Sequence, residues 1–112
     1  MGNGEEKKSP MEYHYNLPWL VEIEHRNDHL AIWLYCKRDS DIPWSVHRAN
    51  QIQIVHPYGK TISKEGESVI KTAIGYGWWE FMKWEEMKKE FLVGDQLTVV
   101  ANVTINQMTG IN

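Results

Sequence analysis

The final part of the chain carries its clearest strand pattern. Between residues 97 and 105, apolar side chains alternate with mainly polar ones, which is typical of a β-strand with one buried face. Such a strand presents an apolar face that a second layer of structure must cover. The predicted inward side chains are Leu97, Val99, Ala101, Val103 and Ile105.

Other segments repeat the strand pattern at short spacing. Residues 19–26 and 30–36 predict a hairpin, because Asn27 and Asp28 between them favour a turn. Cys36 belongs to the aliphatic, inward face of the second strand, whereas Trp33 and Tyr35 point outward. Further strands are predicted in residues 11–17, 43–57 and 68–74, with residues 62–67 as a polar connection.

A short amphipathic helix is predicted within residues 83–90, just before the last strand. Phe81, Trp84 and Phe91 recur at helical spacing, so we expect all three in the core. About seven antiparallel strands and one short helix before the last strand together indicate an all-β sandwich.

Residues 75–84 form an aromatic stretch that contains three of the six tryptophans and both Gly75 and Gly77. Because glycine permits positive φ and close backbone approach, we predict a sharply folded loop here rather than a strand. Of the adjacent Trp78 and Trp79, we expect Trp78 at the surface and its neighbour in the core. Exposed aromatic surface usually marks a binding site, so the stretch indicates recognition rather than catalysis.

The chain of 112 residues has the size of one domain. We expect a flexible tail in residues 1–10, a folded domain in residues 11–107 and a C-terminal tail in residues 108–112. The net charge is −3 and basic residues are scattered among acidic ones, so we expect no nucleic-acid partner. We also expect no membrane partner, because no apolar run is long enough to cross a bilayer.

The single cysteine, Cys36, excludes an internal disulfide and fits a reducing compartment. No secretory segment opens the sequence, so a cytoplasmic location is expected, with the nucleus as the alternative.

Candidate catalytic and metal-binding groups are sparse. His25 and His29 flank the hairpin turn, but two histidines without a third ligand make a poor zinc site. Glu85 and Glu86 lie beside lysines, as on a solvated helix face. We therefore expect no enzyme activity, no metal and no cofactor.

The order of these features resembles the MATH domain, the TRAF-C-like β-sandwich named after meprins and TRAF proteins. The most specific resemblance is in residues 75–87, Gly-Tyr-Gly-Trp-Trp-Glu-Phe-Met-Lys-Trp-Glu-Glu-Met, followed by residues 91–97, Phe-Leu-Val-Gly-Asp-Gln-Leu. Residues 18–23 and 30–35 are similar to a hairpin of the family.

The resemblance implies a non-catalytic module that binds an extended peptide of a partner protein in a shallow groove on one sheet. Such modules often accompany a BTB domain, a protease domain or a coiled coil. A role in substrate recognition linked to ubiquitination is implied, with oligomerisation only through domains that these residues do not contain.

By position, the resemblance places Trp33, Tyr76 and Trp78 in the peptide groove. Asn50 lies near a position where relatives often have an apolar groove residue, and Ser68 where some have an aromatic ring. The family's opening strand carries a Trp-x-Ile-x-x-Phe pattern that is missing before residue 11. An open sheet edge is therefore expected.

A carbohydrate-binding β-sandwich is the alternative, because flat, exposed tryptophan rings stack well on sugars. The absence of a secretory signal and of disulfides favours the peptide-binding interpretation.

Overall fold

The computed structural model describes residues 2–72 and 75–110. Within them, eight strands form two antiparallel sheets, and one short helix precedes the last strand. The elements in chain order are β1 (Glu6–Lys8), β2 (Glu12–His14), β3 (Leu17–Arg26), β4 (His29–Cys36), β5 (Ser45–Ile54), β6 (Ile62–Ile70), β7 (Gly75–Lys83), α1 (Trp84–Glu90) and β8 (Val99–Thr109).

The first sheet has the strand order β1-β3-β4-β7, and β2 also pairs with β3. The second sheet has the order β6-β5-β8. This arrangement confirms the predicted antiparallel sandwich with a short helix before the final strand. The predicted hairpin turn is confirmed too, since Asn27 adopts a positive φ of 53° between β3 and β4.

The core lies between the two sheets. Phe81, Trp84 and Phe91 are buried in it, as their helical spacing predicts. Cys36 is fully buried at the end of β4, on the inward face that the alternation assigns to it. The inward side chains of the last strand pack against the same core from its edge.

The prediction of a loop in residues 75–84 is wrong, because residues 75–83 form strand β7. Neither Gly75 nor Gly77 adopts positive φ. They are needed for close approach instead: an added Cβ at Gly75 would lie 2.6 Å from the Tyr35 ring. A Cβ at Gly77 would overlap the main-chain carbonyl of Ile32 on β4. The two glycines therefore let the Tyr35 ring and the main chain of β4 lie close against β7.

Three other segments differ from the sequence predictions. Residues 62–67, expected as a connection, belong to β6, whose alternating exposure is that of a strand with one covered face. Residues 1–10, expected as a flexible tail, contain β1, which pairs with residues 22–24 of β3. Strand β8 extends to Thr109, into the expected C-terminal tail. Ile74, the expected end of a strand, lies outside the described residues.

The outer edge of β8 has no strand partner within the described part of the chain. Beside it, a cleft of about 770 Å³ separates β8 from β3 and the N-terminal segment. Its apolar lining includes Val21, Ile23, Val99, Ala101 and Val103. An unpaired strand edge of this kind is available for pairing with a further strand.

We predict that Gly77→Ala destabilises the domain by about 3 kcal/mol or more, because the new Cβ has to displace the backbone of β4. Denaturant unfolding followed by tryptophan fluorescence measures this loss. Gly2→Ala is the control, since its Cβ would meet only the flexible Glu5 side chain. Equal stabilities of the two variants would contradict the role of Gly77 in strand approach.

Candidate functional site

Strands β6 and β7 lie face to face at one side of the sandwich, which we call the β6–β7 edge. Each is the last strand of its sheet, so each has an unpaired side within the described residues. Lys64 Nζ on β6 donates a hydrogen bond of 3.4 Å to the carbonyl oxygen of Glu80 on β7. The Tyr76 hydroxyl of β7 fits against Gly66 of β6, where an added Cβ would lie 2.7 Å from it.

Two aromatic rings of β7 point into the space between the sheets. Tyr76 pairs with Leu34 and Trp78 with Ile32, and both of these β4 side chains face the core. The two rings stand edge to face, with centroids 6.1 Å apart. Both residues are half-buried.

Asn50 and Ser68 face the same inter-sheet space from the second sheet. Asn50 is 3 % exposed and lies between the buried Arg48 and Ile52 in the alternation of β5. Ser68 pairs with Arg48 across β5 and β6. Four of the five predicted site residues, Tyr76, Trp78, Asn50 and Ser68, thus share the inter-sheet space.

Trp33, the fifth, lies on the opposite face of the first sheet. It pairs with Gly77, one residue out of phase with the inward rings of β7, and it points outward as the alternation predicts. Its ring packs edge to face on Trp79, with centroids 4.5 Å apart. Trp79 is 52 % exposed, whereas Trp78 packs against the core, which reverses the expected surface and core positions of this pair. The structure therefore does not bring Trp33 together with Tyr76 and Trp78.

Sequence reasoning missed the central residue of this space, Arg48. Its side chain is fully buried, and its guanidinium carbon lies 5.2 Å from the Trp19 ring centroid and 5.5 Å from that of Tyr76. Nε donates a hydrogen bond of 3.2 Å to Ser68 Oγ. The sequence did contain a signal for its burial. Alternate side chains of residues 46–54 point to the same face, so Arg48 lies on the same side of the strand as the buried Val46 and Ile52.

The polar atoms around Arg48 are poorly satisfied. Both terminal guanidinium nitrogens of Arg48, and both amide atoms of Asn50, lack a hydrogen-bond partner among the described residues. Burial lowers the pKa of Arg48 to about 10, so the side chain remains a cation at neutral pH. Burial also raises the pKa of the nearby Cys36 thiol, which keeps that group neutral and unreactive.

A second polar group lies on the outer face of the first sheet. Carboxylate oxygens of Glu6, Glu22 and Glu24 lie within 4.8 Å of one another. Glu22 is 5 % exposed, and burial raises its pKa, with a further increase from its hydrogen bond to Glu6. A hydrogen bond with Tyr35 acts in the opposite direction. Glu22 therefore resists ionisation more than an exposed glutamate does.

Taken together, the described residues form an antiparallel β-sandwich whose distinctive feature is a side edge lined with aromatic and polar side chains. The family model of the MATH domain matches residues 1–105, and the chain belongs to the MATH domain family. MATH domains are protein-interaction modules. No helix in the described residues has the length and apolar character needed to cross a membrane.

Two relatives from Caenorhabditis elegans are similar to the chain. BTB and MATH domain-containing protein 15 is 30 % identical over 110 residues, which cover 96 % of this chain and 40 % of the relative. BTB and MATH domain-containing protein 45 is 23 % identical over 113 residues, which cover 99 % of this chain and 24 % of the relative. The chain thus spans less than half the length of the relatives it matches.

The raised pKa of Glu22 gives a testable pH dependence of stability. The folded state holds the Glu22 proton more tightly than the unfolded chain, so stability falls as pH rises above the ordinary value of 4.5 through the folded value. We predict that Glu22→Gln raises the thermal midpoint at neutral pH and flattens this decline. Differential scanning fluorimetry across pH measures both effects.

The matched control is Glu67→Gln, at an exposed position of strand β6. Its pH profile of stability should follow that of the wild type. An unchanged pH profile of stability in Glu22→Gln would contradict the conclusion that burial raises the pKa of Glu22.

Proposed function

We propose that this domain is a non-catalytic recognition module that binds an extended segment of a partner protein along the β6–β7 edge. The observation that carries the proposal is the unpaired side of β7 next to Tyr76 and Trp78, two half-buried rings that face the inter-sheet space. Asn50 and Ser68 line the same space from the second sheet.

Addition of a strand to a sheet edge supplies affinity and selectivity by separate means. Main-chain hydrogen bonds along β7 provide sequence-independent affinity, and alternate side chains of the added strand enter the space between the sheets. A short peptide bound in this way has an affinity on the order of micromolar, because ordering its backbone offsets much of the gain.

The relatives suggest the wider setting of this activity. Both are named BTB and MATH domain-containing proteins, and each is more than twice as long as the matched segment. We propose that the domain selects substrates for ubiquitination as part of a longer cytoplasmic protein. Oligomerisation then depends on another domain. Several copies of this module in one oligomer bind a partner that has several matching segments with a higher apparent affinity.

The outer face offers a second possible site, at Trp33 and Trp79. A carbohydrate needs a free, flat ring face, but the Arg26 guanidinium lies 3.5 Å from the centroid of the Trp79 ring. The Trp33 and Trp79 rings pack edge to face, with their planes 84° apart, so the two rings do not form one flat platform. These contacts favour peptide recognition at the β6–β7 edge over sugar stacking on this face.

We predict that Tyr76→Ala lowers peptide affinity about tenfold or more, because the ring lies where an added strand sends its side chains inward. Peptides selected from a random display library on the wild-type domain provide the probes. Fluorescence polarisation then measures each dissociation constant, and far-ultraviolet circular dichroism checks that the variants are folded.

Trp33→Ala is the matched control, since it removes an aromatic ring from the opposite face of the same sheet. Peptide affinity in this variant should remain within about twofold of the wild type. Loss of binding in Trp33→Ala with full binding in Tyr76→Ala would place the peptide on the outer face and refute the edge assignment.

A further inference from the structure

Arg48 is a buried cation of the inter-sheet space, and its hydrogen-bonding capacity is only partly used among the described residues. It is 0 % exposed, yet both terminal nitrogens of its guanidinium lack a partner among the described residues. Among the described residues, the ionisable groups that act on it are the Cys36 thiol and the Tyr76 hydroxyl, and neither is a carboxylate. Arg48 thus differs from an ordinary structural arginine, which has a counter-ion or hydrogen bonds to its nitrogens.

A buried cation without a counter-ion destabilises a fold, because desolvation is not offset by pairing. The rings of Trp19 and Tyr76 and the Ser68 hydroxyl satisfy only part of the guanidinium. Two parallel N–H donors remain, and their geometry matches the two oxygens of a carboxylate.

The guanidinium also lies near the edge where a peptide would arrive. Its Nε contacts Ser68 on β6, and its carbon lies 5.5 Å from the ring centroid of Tyr76 on β7. Gly66 has no side chain to fill this part of the space, and the Tyr76 hydroxyl occupies it instead. A rotation of the half-buried Tyr76 side chain, with its ring still beside the entering group, would therefore open a path to Arg48 from the unpaired side of β7.

A second cation marks the same edge. Lys64 lies on the inward face of β6, with Nζ 5.2 Å from the Phe81 ring centroid, and it donates a hydrogen bond to the main-chain carbonyl of Glu80. Two positive side chains thus flank the space, although the whole chain has a net charge of −3. Inside the inter-sheet space these two charges are positive, whereas Glu65, Glu67 and Glu80 on the same edge strands are exposed, so an acidic group is favoured within the space itself.

We propose that the β6–β7 edge selects peptides with one acidic residue, whose carboxylate enters beside Tyr76 and binds the two free nitrogens of Arg48. This proposal rests on the proposed function and adds the chemistry of the ligand to it. Arg48 lies on the central strand of its sheet, one strand away from the edge. The longer side chain of glutamate therefore reaches it better than that of aspartate.

The test is a double-mutant cycle on peptides from a random display library panned on the wild-type domain. The selected peptides should share an acidic position, and replacing that residue with its amide should weaken binding to the wild type about thirtyfold. The same replacement should have little effect on binding to Arg48→Met, and Arg48→Lys should retain part of the effect. Arg26→Met, on the outer face, is the control and should behave as the wild type does.

A second measurement does not depend on any ligand. In the free protein, Arg48→Met should leave the thermal midpoint unchanged or raise it, because an apolar side chain replaces an unpaired cation. A clearly lower midpoint would overturn the inference, since it would mean that the guanidinium is satisfied in the folded protein.

The remaining outcomes separate the two proposals. Peptides that require Tyr76 but carry no shared acidic position would overturn the carboxylate inference and leave edge binding intact. A preference for phosphoserine over glutamate at that position would also overturn the carboxylate assignment. If panning selects no peptide at all, both proposals fail.

Discussion

The close approach of β7 to β4 is the constraint on which the rest of the structure depends. The carbonyl of Ile32 occupies the place that a side chain at Gly77 would need, and the Tyr35 ring covers Gly75. This contact fixes the register of the two strands. Since strand side chains alternate between faces, a slip of one residue would send Tyr76 and Trp78 outward and Gly77 inward. The composition of the inter-sheet space is therefore determined by a backbone contact on β7.

The second sheet places two buried polar side chains in the same inter-sheet space. Arg48 and Asn50 occupy two successive inward positions of β5, where the flanking residues are apolar. Among the described residues, four of their buried polar atoms have no hydrogen-bond partner, which lowers the stability of the folded domain. Residues that reduce stability in this way are found where a protein has to recognise something, because the same groups gain partners when a ligand arrives. The sandwich combines a tightly constrained strand on one side with a polar lining that is short of hydrogen bonds on the other.

Period-two patterns made much of the fold predictable from the sequence. The last strand and the β3–β4 hairpin have one apolar face each, and for them the pattern alone gives the inward side chains. The aromatic stretch was mispredicted because a glycine signals either positive φ or close approach, and only the neighbouring strand decides between them. Here the positive-φ positions include Asn27, Gly59 and Gly94, whereas Gly77 is extended.

The candidate site was only partly predictable for a related reason. The family resemblance pointed to Tyr76, Trp78, Asn50 and Ser68, which share one space. It also pointed to Trp33, which the alternation of β4 correctly turns outward. Whether Tyr76 and Trp78 share that face depends on the register between β4 and β7, a property that neither strand's own sequence encodes. Arg48 was missed because charged side chains are rarely buried, and that expectation outweighed the alternation of β5.

Strands at the end of a sheet usually fray, because one side of their backbone has no partner. In β7 the outer surface of the backbone is covered at Gly75 by an aromatic ring and packed at Gly77 against the main chain of β4. Its amide groups should consequently exchange slowly with solvent on the side that faces β4. A guest strand would then meet a receiving strand that is already ordered, so nearly all of the conformational entropy lost on binding would belong to the guest.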